Sequence, residues 1–432
     1  MKLHTRIAIG LALGAIVGGL CNRFFADAAW LNFVSSKIAY PVGQVFLRLL
    51  FMTVVPIVFT SIAIGVAGIG STRTLGRLGG RTIGYFALST LFATIIGLTL
   101  VNVVRPGSGL SAATRDQLMA QFSSGAAGLA QGGSVEFGVS TFVNIVPRNP
   151  VAAAANMDML ALIFFALIFG AALTVIPAER AKPVVAVLEG IADAIIAIIN
   201  WAMKLAPYGV FALIFVITSQ FGWAILQQLG LYVGVVVIGL LLHATVGISL
   251  LVRIFGRMSP VRFWRAITAP IITAFSTSSS MATLPTSIAT AERELGVQPK
   301  IAGFVLPLGA TMNMNGTALF EGVTVLFLAQ VFGVHLGLGA QAIVVVLSVM
   351  TAIGAAGVPG GSLPLMMLVM ATVGVPPAGI AIILGVDRLL DMMRTTVNVS
   401  GDISASVYVD RIDREIEGLA PAVLSRPAFP QA

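Results

Sequence analysis

One stretch near the end of the chain concentrates ionisable side chains in apolar surroundings. Residues 384–409 read L-G-V-D-R-L-L-D-M-M-R-T-T-V-N-V-S-G-D-I-S-A-S-V-Y-V. An ionisable side chain in a bilayer core costs roughly 2.5–3.5 kcal/mol, so such a helix must face a bundle interior or a watery cavity. Its polar groups fall at i, i+4, i+7 and i+11, which is one helical face with Arg394 beside it: Asp391, Thr395, Asn398 and Asp402.

This polar face can bind three kinds of group. A carboxylate suits an ammonium, a guanidinium suits a carboxylate, and an amide beside a second carboxylate suits a cation. The alternative to a binding site is a purely structural role, in which these side chains form a ladder of internal salt bridges between packed helices.

The composition predicts a polytopic all-α membrane protein. The 432 residues are 57% hydrophobic and 10% charged, with mean hydropathy +0.99, whereas a soluble domain carries about 25% charged residues. The net charge of +8 does not indicate nucleic-acid binding, because the basic residues cluster in short loops, where they set orientation. One cysteine excludes an intramolecular disulfide, and three scattered histidines form no metal-ligand pattern.

Apolar runs predict six spans before residue 260. Basic residues fall in alternate connections, which predicts a multi-pass protein of the inner membrane with both termini in the cytoplasm. The first run lacks a small-residue cleavage site, so we interpret it as a span and not as a signal peptide. Residues 106–147, rich in Gly, Ser and Ala, are expected to form an external surface loop. The six spans are 5–25, 40–70, 82–104, 150–176, 185–219 and 229–256.

After residue 260 the pattern changes. Residues 266–290 are apolar at both ends but hold a small polar run, 276–280, at the centre. A straight span would leave that run in lipid, so a re-entrant helical hairpin is predicted with the serines at its tip. The helix expected at 300–332 contains two asparagines and a glycine, N-M-N-G (313–316), which predicts a break that exposes backbone carbonyls.

The same layout then recurs. Residues 340–373 are apolar around a small-residue tip, 354–362, and a polar helix is predicted at 377–410. Span counting makes the two hairpins start from opposite sides, each followed by an interrupted polar helix. Opposed repeats of this kind are typical of a secondary transporter with its site near the midplane. The hairpin tips direct backbone N–H groups at that site, which suits an anion.

Four ordered motifs resemble the dicarboxylate/amino acid:cation symporter family, which includes glutamate and aspartate transporters. They are S-S-S-M-A-T-L-P (278–285), N-M-N-G-T (313–317), A-G-V-P-G (356–360) and L-D-M-M-R-T-T-V-N-V-S-G-D (390–402). The resemblance implies eight transmembrane helices plus two re-entrant hairpins, assembled as a homotrimer in lipid, and an elevator movement. It also implies the following division: scaffold at 1–80 and 106–228 (the latter including the external loop), transport domain at 81–105 and 229–415, and a cytoplasmic tail at 416–432.

The resemblance implies a site for an acidic amino acid. Arg394 would bind the side-chain carboxylate, since a planar guanidinium binds carboxylates bidentately. Asp391 would bind the α-ammonium and Asn398 the α-carboxylate. The remaining positions would close the pocket: Ser278, Ser279, Thr317, Thr395 and the backbone near Val358 and Gly360.

The resemblance also implies coupling to sodium. One cation would lie between Asn313, Asn398, Asp402 and the carbonyl of Gly309, because hard oxygen ligands suit sodium. A second would rest on backbone carbonyls near Thr311, Met314, Ala352 and Ala355. A third would use position 315 with Asn313, Ser89 and Thr90.

Position 315 departs from the family pattern, which has aspartate where this chain has Asn315. A carboxamide is an oxygen ligand without charge, so the third sodium site is in doubt. Glu321 falls where animal relatives have a glutamate implicated in proton coupling, and it is the candidate for coupling to a proton. The structural alternative for Glu321 is an ordinary helix residue paired to an arginine.

Three other functions agree less well with the sequence than a symporter for aspartate or glutamate does. A C4-dicarboxylate symporter is disfavoured by Asp391, which welcomes an ammonium and repels a second acid. An intramembrane hydrolase using a serine of 276–280 lacks a histidine or lysine beside the polar motifs to act as base. A ligand-gated channel needs a continuous charge-lined pore, which the sequence does not show. The sequence therefore predicts a transporter, not an enzyme.

Overall fold

A computed structural model describes residues 3–26, 28–67, 73–126, 146–156, 159–354 and 362–418, and nearly all of them lie in helices. The first half contains α1 (Leu3–Phe25), α2 (Ala29–Phe33, a π-helical turn Val34–Ala39, and Tyr40–Phe51), α3 (Val54–Ala67), α4 (Arg73–Val104), α5 (Ala112–Ala126), α6 (Pro150–Ala155), α7 (Met159–Val175) and α8 (Ala178–Phe221).

The second half contains α9 (Ala224–Leu242, a π-helical turn His243–Ile248, and Ser249–Ile254), α10 (Pro260–Ala266), α11 (Thr268–Thr277), α12 (Ser280–Arg293), α13 (Pro299–Met312), α14 (Asn315–Phe332), α15 (Leu338–Gly354), α16 (Leu363–Thr372), a 3₁₀ segment Pro377–Ile382, and α17 (Leu384–Glu417). No β-strand occurs in the described ranges, so the all-α prediction is confirmed there.

Five of the described helices are long and apolar enough to cross a membrane by length and composition. They are Thr5–Phe25, Leu78–Val104, Ala178–Phe221, Ala224–Ile254 and Pro299–Phe332. Hydrocarbon about 30 Å thick needs about 20 helical residues, and each of these exceeds that length. These helices support an integral, multi-pass membrane protein.

The helices α1 and α8 pack backbone against backbone along a row of glycines. A methyl group at Gly14 would lie 2.7 Å from the Phe211 carbonyl oxygen, and one at Gly18 would lie 2.8 Å from the Phe215 carbonyl oxygen. Thr218 Oγ1 donates to the Gly14 carbonyl at 3.0 Å. Small residues at four-residue spacing allow this close approach in membrane helices. The helices α2 and α3 also pack on α8, and α7 packs on α3.

A second set of helices surrounds α17. The helices α4, α11, α13 and α14 contact α17, while α12 packs against both α11 and α13. The helices α11 and α12 meet at Ser278, whose φ of +50° places it in the left-handed region that ends a helix. Ser279 begins α12 by accepting a hydrogen bond from the Ala282 N–H at 3.2 Å. The predicted turn at the serines is therefore present.

The predicted break in the next helix is also present. The helix α13 ends at Met312 and α14 begins at Asn315, so Asn313 and Met314 lie between them in non-helical conformations. Pro299–Phe332 is the most buried of the five long apolar segments. A break there is tolerated because its free backbone groups face protein and not lipid.

Two expectations are wrong. The polar helix does not start at residue 377, because Pro377–Ile382 is 3₁₀ and α17 runs without interruption from Leu384 to Glu417. The backbone there closes three-residue turns, with the Gly379 N–H donating to the Pro376 carbonyl at 2.9 Å and the Ile383 N–H donating to the Ile380 carbonyl at 3.0 Å, so α-helical bonding begins only with α17. The expected loop 106–147 contains the helix α5, which packs on α14 and on the 3₁₀ segment.

The tip of the second predicted hairpin lies partly outside the described residues, which resume at 362.

Candidate functional site

The polar face of α17 is buried in the protein. Asp391, Arg394, Asn398 and Asp402 are each no more than 4% exposed, and Thr395 is buried beside them. The helix reaches this position because Gly401 lies directly against the Asn315 and Asn313 side chains, where a larger residue would not fit. The polar face therefore crosses the break between α13 and α14.

Two carboxylates neutralise Arg394. Its Nη1 donates to Asp387 Oδ1 at 3.0 Å and its Nη2 donates to Asp391 Oδ1 at 2.8 Å. The guanidinium lies over the Phe320 ring, 4.4 Å from its centroid, in a cation–π contact. Arg388 adds a longer contact to Asp391 at 3.4 Å. A buried charge needs such partners. Removing one member of a buried ion pair leaves the remaining charge uncompensated and destabilises a protein by about 3–5 kcal/mol.

Asn398 joins α17 to the start of α14. Its Oδ1 accepts hydrogen bonds from the Gly316 N–H at 2.7 Å and the Thr317 N–H at 3.2 Å, and its Nδ2 donates to Thr317 Oγ1 at 3.1 Å. The first N–H groups of a helix have no partner within it, so Asn398 caps α14 from another helix. Its amide oxygen is therefore already bound to two N–H groups.

The serines of the turn between α11 and α12 are buried as well. Ser278 is 2% exposed and Ser279 is 8% exposed. Ser278 Oγ has no hydrogen-bond partner within the described residues. A buried hydroxyl without a partner is costly unless a ligand or water binds it. Val358 and Gly360, the other predicted closing positions, lie outside the described residues.

Asn313 and Asp402 form a buried pair of oxygen donors. Asn313 Nδ2 donates to Asp402 Oδ1 at 2.9 Å, while Asn313 Oδ1 has no partner among the described residues. Gly309 adjoins the carboxylate, since a methyl group there would lie 2.7 Å from Asp402 Oδ1. A carboxylate, an unpartnered amide oxygen and backbone carbonyls at a helix break are the ligand types that suit a hard cation.

The Asn315 side chain points a donor at α4. Its Nδ2 donates to Ser89 Oγ at 3.0 Å, and its Oδ1 accepts from the Gly316 N–H at 2.8 Å. Thr90 is buried next to Ser89. In this arrangement an N–H, not an oxygen, faces the Ser89 hydroxyl, so Asn315 would have to give up both bonds to coordinate a cation.

The predicted second cation position is described only in part. Thr311, Met314 and Ala352 lie at the ends of α13 and α15 and at the break, and Ala355 lies outside the described residues. The Thr311 hydroxyl donates to the Leu308 carbonyl at 3.0 Å.

Glu321 is fully buried in α14. Its Oε2 lies 2.6 Å from Thr351 Oγ1 on α15, and its Oε1 has no partner within the described residues. The Thr351 hydroxyl also lies 2.8 Å from the Leu347 carbonyl, yet it has one hydrogen to donate. Ionised Glu321 must therefore accept that hydrogen, whereas protonated Glu321 can donate to Thr351 and leave it to bond Leu347. In the described part of the chain no arginine forms an ion pair with Glu321, which disfavours the alternative of an arginine-paired glutamate.

Sequence reasoning missed two contacts of this site. Asp387 was not predicted as a partner of Arg394, although it precedes Asp391 by four residues on the same helical face. Thr351 carried no signal, because a single threonine in an apolar helix is ordinary.

The whole chain can be compared with known proteins. The model of the sodium:dicarboxylate symporter family matches residues 3–412. The chain belongs to this family. It is 38% identical to the proton/sodium-glutamate symport protein of Bacillus subtilis (strain 168), over 95% of this chain and 92% of that protein. It is 34% identical to the proton/glutamate-aspartate symporter of Escherichia coli (strain K12), over 96% and 94%. The C4-dicarboxylate transport protein of Anaeromyxobacter sp. (strain K) is 32% identical over 98% and 93%.

The family resemblance read from the four motifs is thereby confirmed. The sodium:dicarboxylate symporter family is a family of transporters, in agreement with the predicted class of function. The matched residues include α17 up to residue 412 and every described residue of the buried site.

Proposed function

We propose that this chain is a secondary active symporter that imports aspartate or glutamate together with sodium ions and a proton. The observation that carries the proposal is the buried Arg394 between two carboxylates. The names of the Bacillus subtilis and Escherichia coli relatives, both glutamate symporters, support the same substrate class.

The Arg394 cluster fits an acidic amino acid better than a simple diacid. The substrate's side-chain carboxylate can replace Asp387 or Asp391 on the guanidinium, which then stays neutralised in the buried site. The released Asp391 carboxylate can bind the α-ammonium. A dicarboxylate has no cation to offer Asp391 and would place a second carboxylate beside it. Asn398, Thr317, Thr395 and the serines of the α11–α12 turn complete the proposed pocket, with Val358 and Gly360 closing it.

Sodium is assigned first to Asp402, Asn313 and Asn398, with the carbonyl of Gly309. The unpartnered Asn313 oxygen supports this assignment. A second sodium is assigned to carbonyls near Thr311, Met314, Ala352 and Ala355. A third site at Asn315, Ser89 and Thr90 is expected to be weak, because Asn315 carries no charge and directs its N–H at Ser89.

The proton is assigned to Glu321. The short contact with Thr351 can be made by either protonation state, with the direction of donation reversed. A carboxyl with one oxygen unpartnered in a dry, apolar helix is expected to be carried neutral and to release its proton where water reaches it.

The proposed architecture is that of an elevator. The helices around α8 would form a fixed scaffold, residues 1–80 and 106–228, and those around α17 a moving domain, residues 81–105 and 229–415. Eight transmembrane helices, two opposed re-entrant hairpins, a homotrimer and an inner-membrane location with cytoplasmic termini belong to this proposal. The apolar helices and the close α1–α8 packing support it.

Uptake into proteoliposomes tests the function. We expect labelled aspartate or glutamate to accumulate under an inward sodium gradient and, more weakly, under an inward proton gradient. Unlabelled succinate is expected to compete poorly. Stronger competition by succinate than by aspartate would favour the C4-dicarboxylate alternative, which one relative's name keeps open. Absence of concentrative uptake of either substrate would contradict the proposal.

A further inference from the structure

An apolar groove of about 480 Å³ opens behind the proposed substrate site. Its volume is within the range of small-molecule sites, about 300–1,000 Å³. Nearly all of its wall is carbon, from four helices: Leu241 and Thr245 of α9, Val261 and Trp264 of α10, Phe275 of α11, and Val397 of α17.

The outer wall of the groove faces the membrane. Leu241 is 52% exposed and Val261 is 60% exposed. In a membrane-spanning chain, exposed apolar side chains at this position contact acyl chains and not water. An apolar groove open on that side is accessible to a lipid tail.

Unpaired basic side chains lie beside the groove, in the connection that is predicted to be cytoplasmic. Arg253 follows the lining residue Ser249 by four positions on α9, and Arg265 follows Val261 by four positions on α10, so each continues a face that lines the groove. Both are exposed, and neither has an ion pair within the described residues.

The carboxylates at the C-terminal end of α17 form ion pairs with basic side chains other than Arg253 and Arg265. Asp410 pairs with Arg414 at 2.7 Å, and Glu415 pairs with Arg257 at 3.2 Å. Lys300 binds Asp413 at 2.8 Å and Glu417 at 2.6 Å. The protein therefore offers no carboxylate from α17 to Arg253 or Arg265, and an external anion can bind them.

We propose that this groove binds an anionic phospholipid, with one acyl chain between α9 and α11 and the phosphate at Arg253 and Arg265. An apolar channel that ends at unpaired arginines on the cytoplasmic side has the chemistry of such a lipid. The groove touches the back of the substrate site, because Met393 lines it while the next residue, Arg394, points into the cluster. Phe275 lies three residues before the left-handed Ser278. The bound chain therefore supports the wall on which the serine turn and Arg394 are mounted.

The test measures retained lipid by native mass spectrometry of the full chain. The protein is exchanged into mixtures of palmitoyl-oleoyl phosphatidylglycerol and the matching phosphatidylcholine. We expect the wild type to retain phosphatidylglycerol in preference to phosphatidylcholine. The Arg253→Gln/Arg265→Gln variant should lose that preference by roughly 25-fold, at about fivefold per basic residue near an anionic headgroup. The matched control, Arg180→Gln/Lys182→Gln, removes two exposed charges from the first turns of α8, on the same predicted side, and should keep that preference.

A second variant tests the groove itself. Thr245→Trp fills it, and we expect loss of retained lipid whatever the headgroup. The proposal is overturned if the arginine variant keeps the wild-type preference, or if its control loses the preference equally. It is also overturned if Thr245→Trp retains as much lipid as the wild type, or if glycerophosphoglycerol without chains competes as well as the intact lipid.

Discussion

Replacing Glu321 with glutamine separates proton coupling from the rest of transport. The substitution keeps the volume and leaves an amide oxygen to accept the Thr351 hydrogen bond, so helices α14 and α15 are expected to pack unchanged. It removes the only atom of this contact that can gain and lose a proton. We therefore expect a folded variant that binds substrate and sodium but does not move a proton with them.

The magnitude follows from thermodynamics. One proton carried per substrate adds about 1.4 kcal/mol of driving force for each unit of pH difference, which is a factor of about ten in the accumulation ratio. A difference of about two units, acid outside, should raise wild-type accumulation about 100-fold. In Glu321→Gln the same gradient should raise it not at all, while a sodium gradient still drives uptake.

The assay is equilibrium accumulation of labelled aspartate in proteoliposomes. Sodium is equal on both sides, and potassium with valinomycin clamps the membrane potential. The control, Thr351→Val, removes the hydroxyl but keeps the carboxyl, so accumulation must still respond to the pH gradient. If Glu321→Gln accumulates aspartate under the pH gradient as strongly as the wild type, Glu321 is not the proton carrier.

Four further substitutions test the other assignments. Arg394→Cys should abolish aspartate uptake and admit neutral amino acids, because the side-chain carboxylate loses its cation; normal aspartate affinity in this variant would remove the assignment. Asp391→Asn should weaken amino-acid binding by about 2 kcal/mol or more and succinate binding far less; equal losses would make Asp391 structural. Asp402→Asn should raise the sodium concentration for half-maximal uptake, and unchanged sodium dependence would exclude it. Asn315→Asp should raise the number of sodium ions per substrate in reversal-potential measurements, and an unchanged number would mean that the third site was not lost through this residue.

The features predicted correctly are those in which a residue type conflicts with its surroundings. A run of small hydroxyl residues in the middle of an apolar segment disfavours a straight helix through lipid and predicts a turn, and a turn is present at Ser278. Two asparagines and a glycine within the helix expected at 300–332 predict a break, and α13 ends where they begin. The charged face of α17 could be predicted to be buried, since exposure to lipid would cost too much.

The details that could not be predicted from the sequence are the choices between several possible hydrogen-bond or ion-pair partners for one polar group. A helix break leaves N–H groups that need acceptors, but the spacing does not identify the acceptor as Asn398. That choice occupies the Asn398 amide oxygen, which could otherwise bind a cation, while the Asn398 amide N–H group donates to Thr317 Oγ1. Arg394 likewise has a long side chain that can reach forward or back along its helix, and in the structure it reaches back to Asp387 with its guanidinium over the Phe320 ring.

The glycine-packed pair α1 and α8 offers a reference point for spectroscopy. The two backbones are held in contact along several turns, so a probe on either reports on the same rigid body. The one cysteine of the chain, Cys21, lies on α1 and is half-buried. A second cysteine at the exposed Ile416 on α17 would complete a label pair without removing any native thiol. The distance between two spin labels there would then show whether α17 changes position relative to α1 during transport, as the proposed elevator requires.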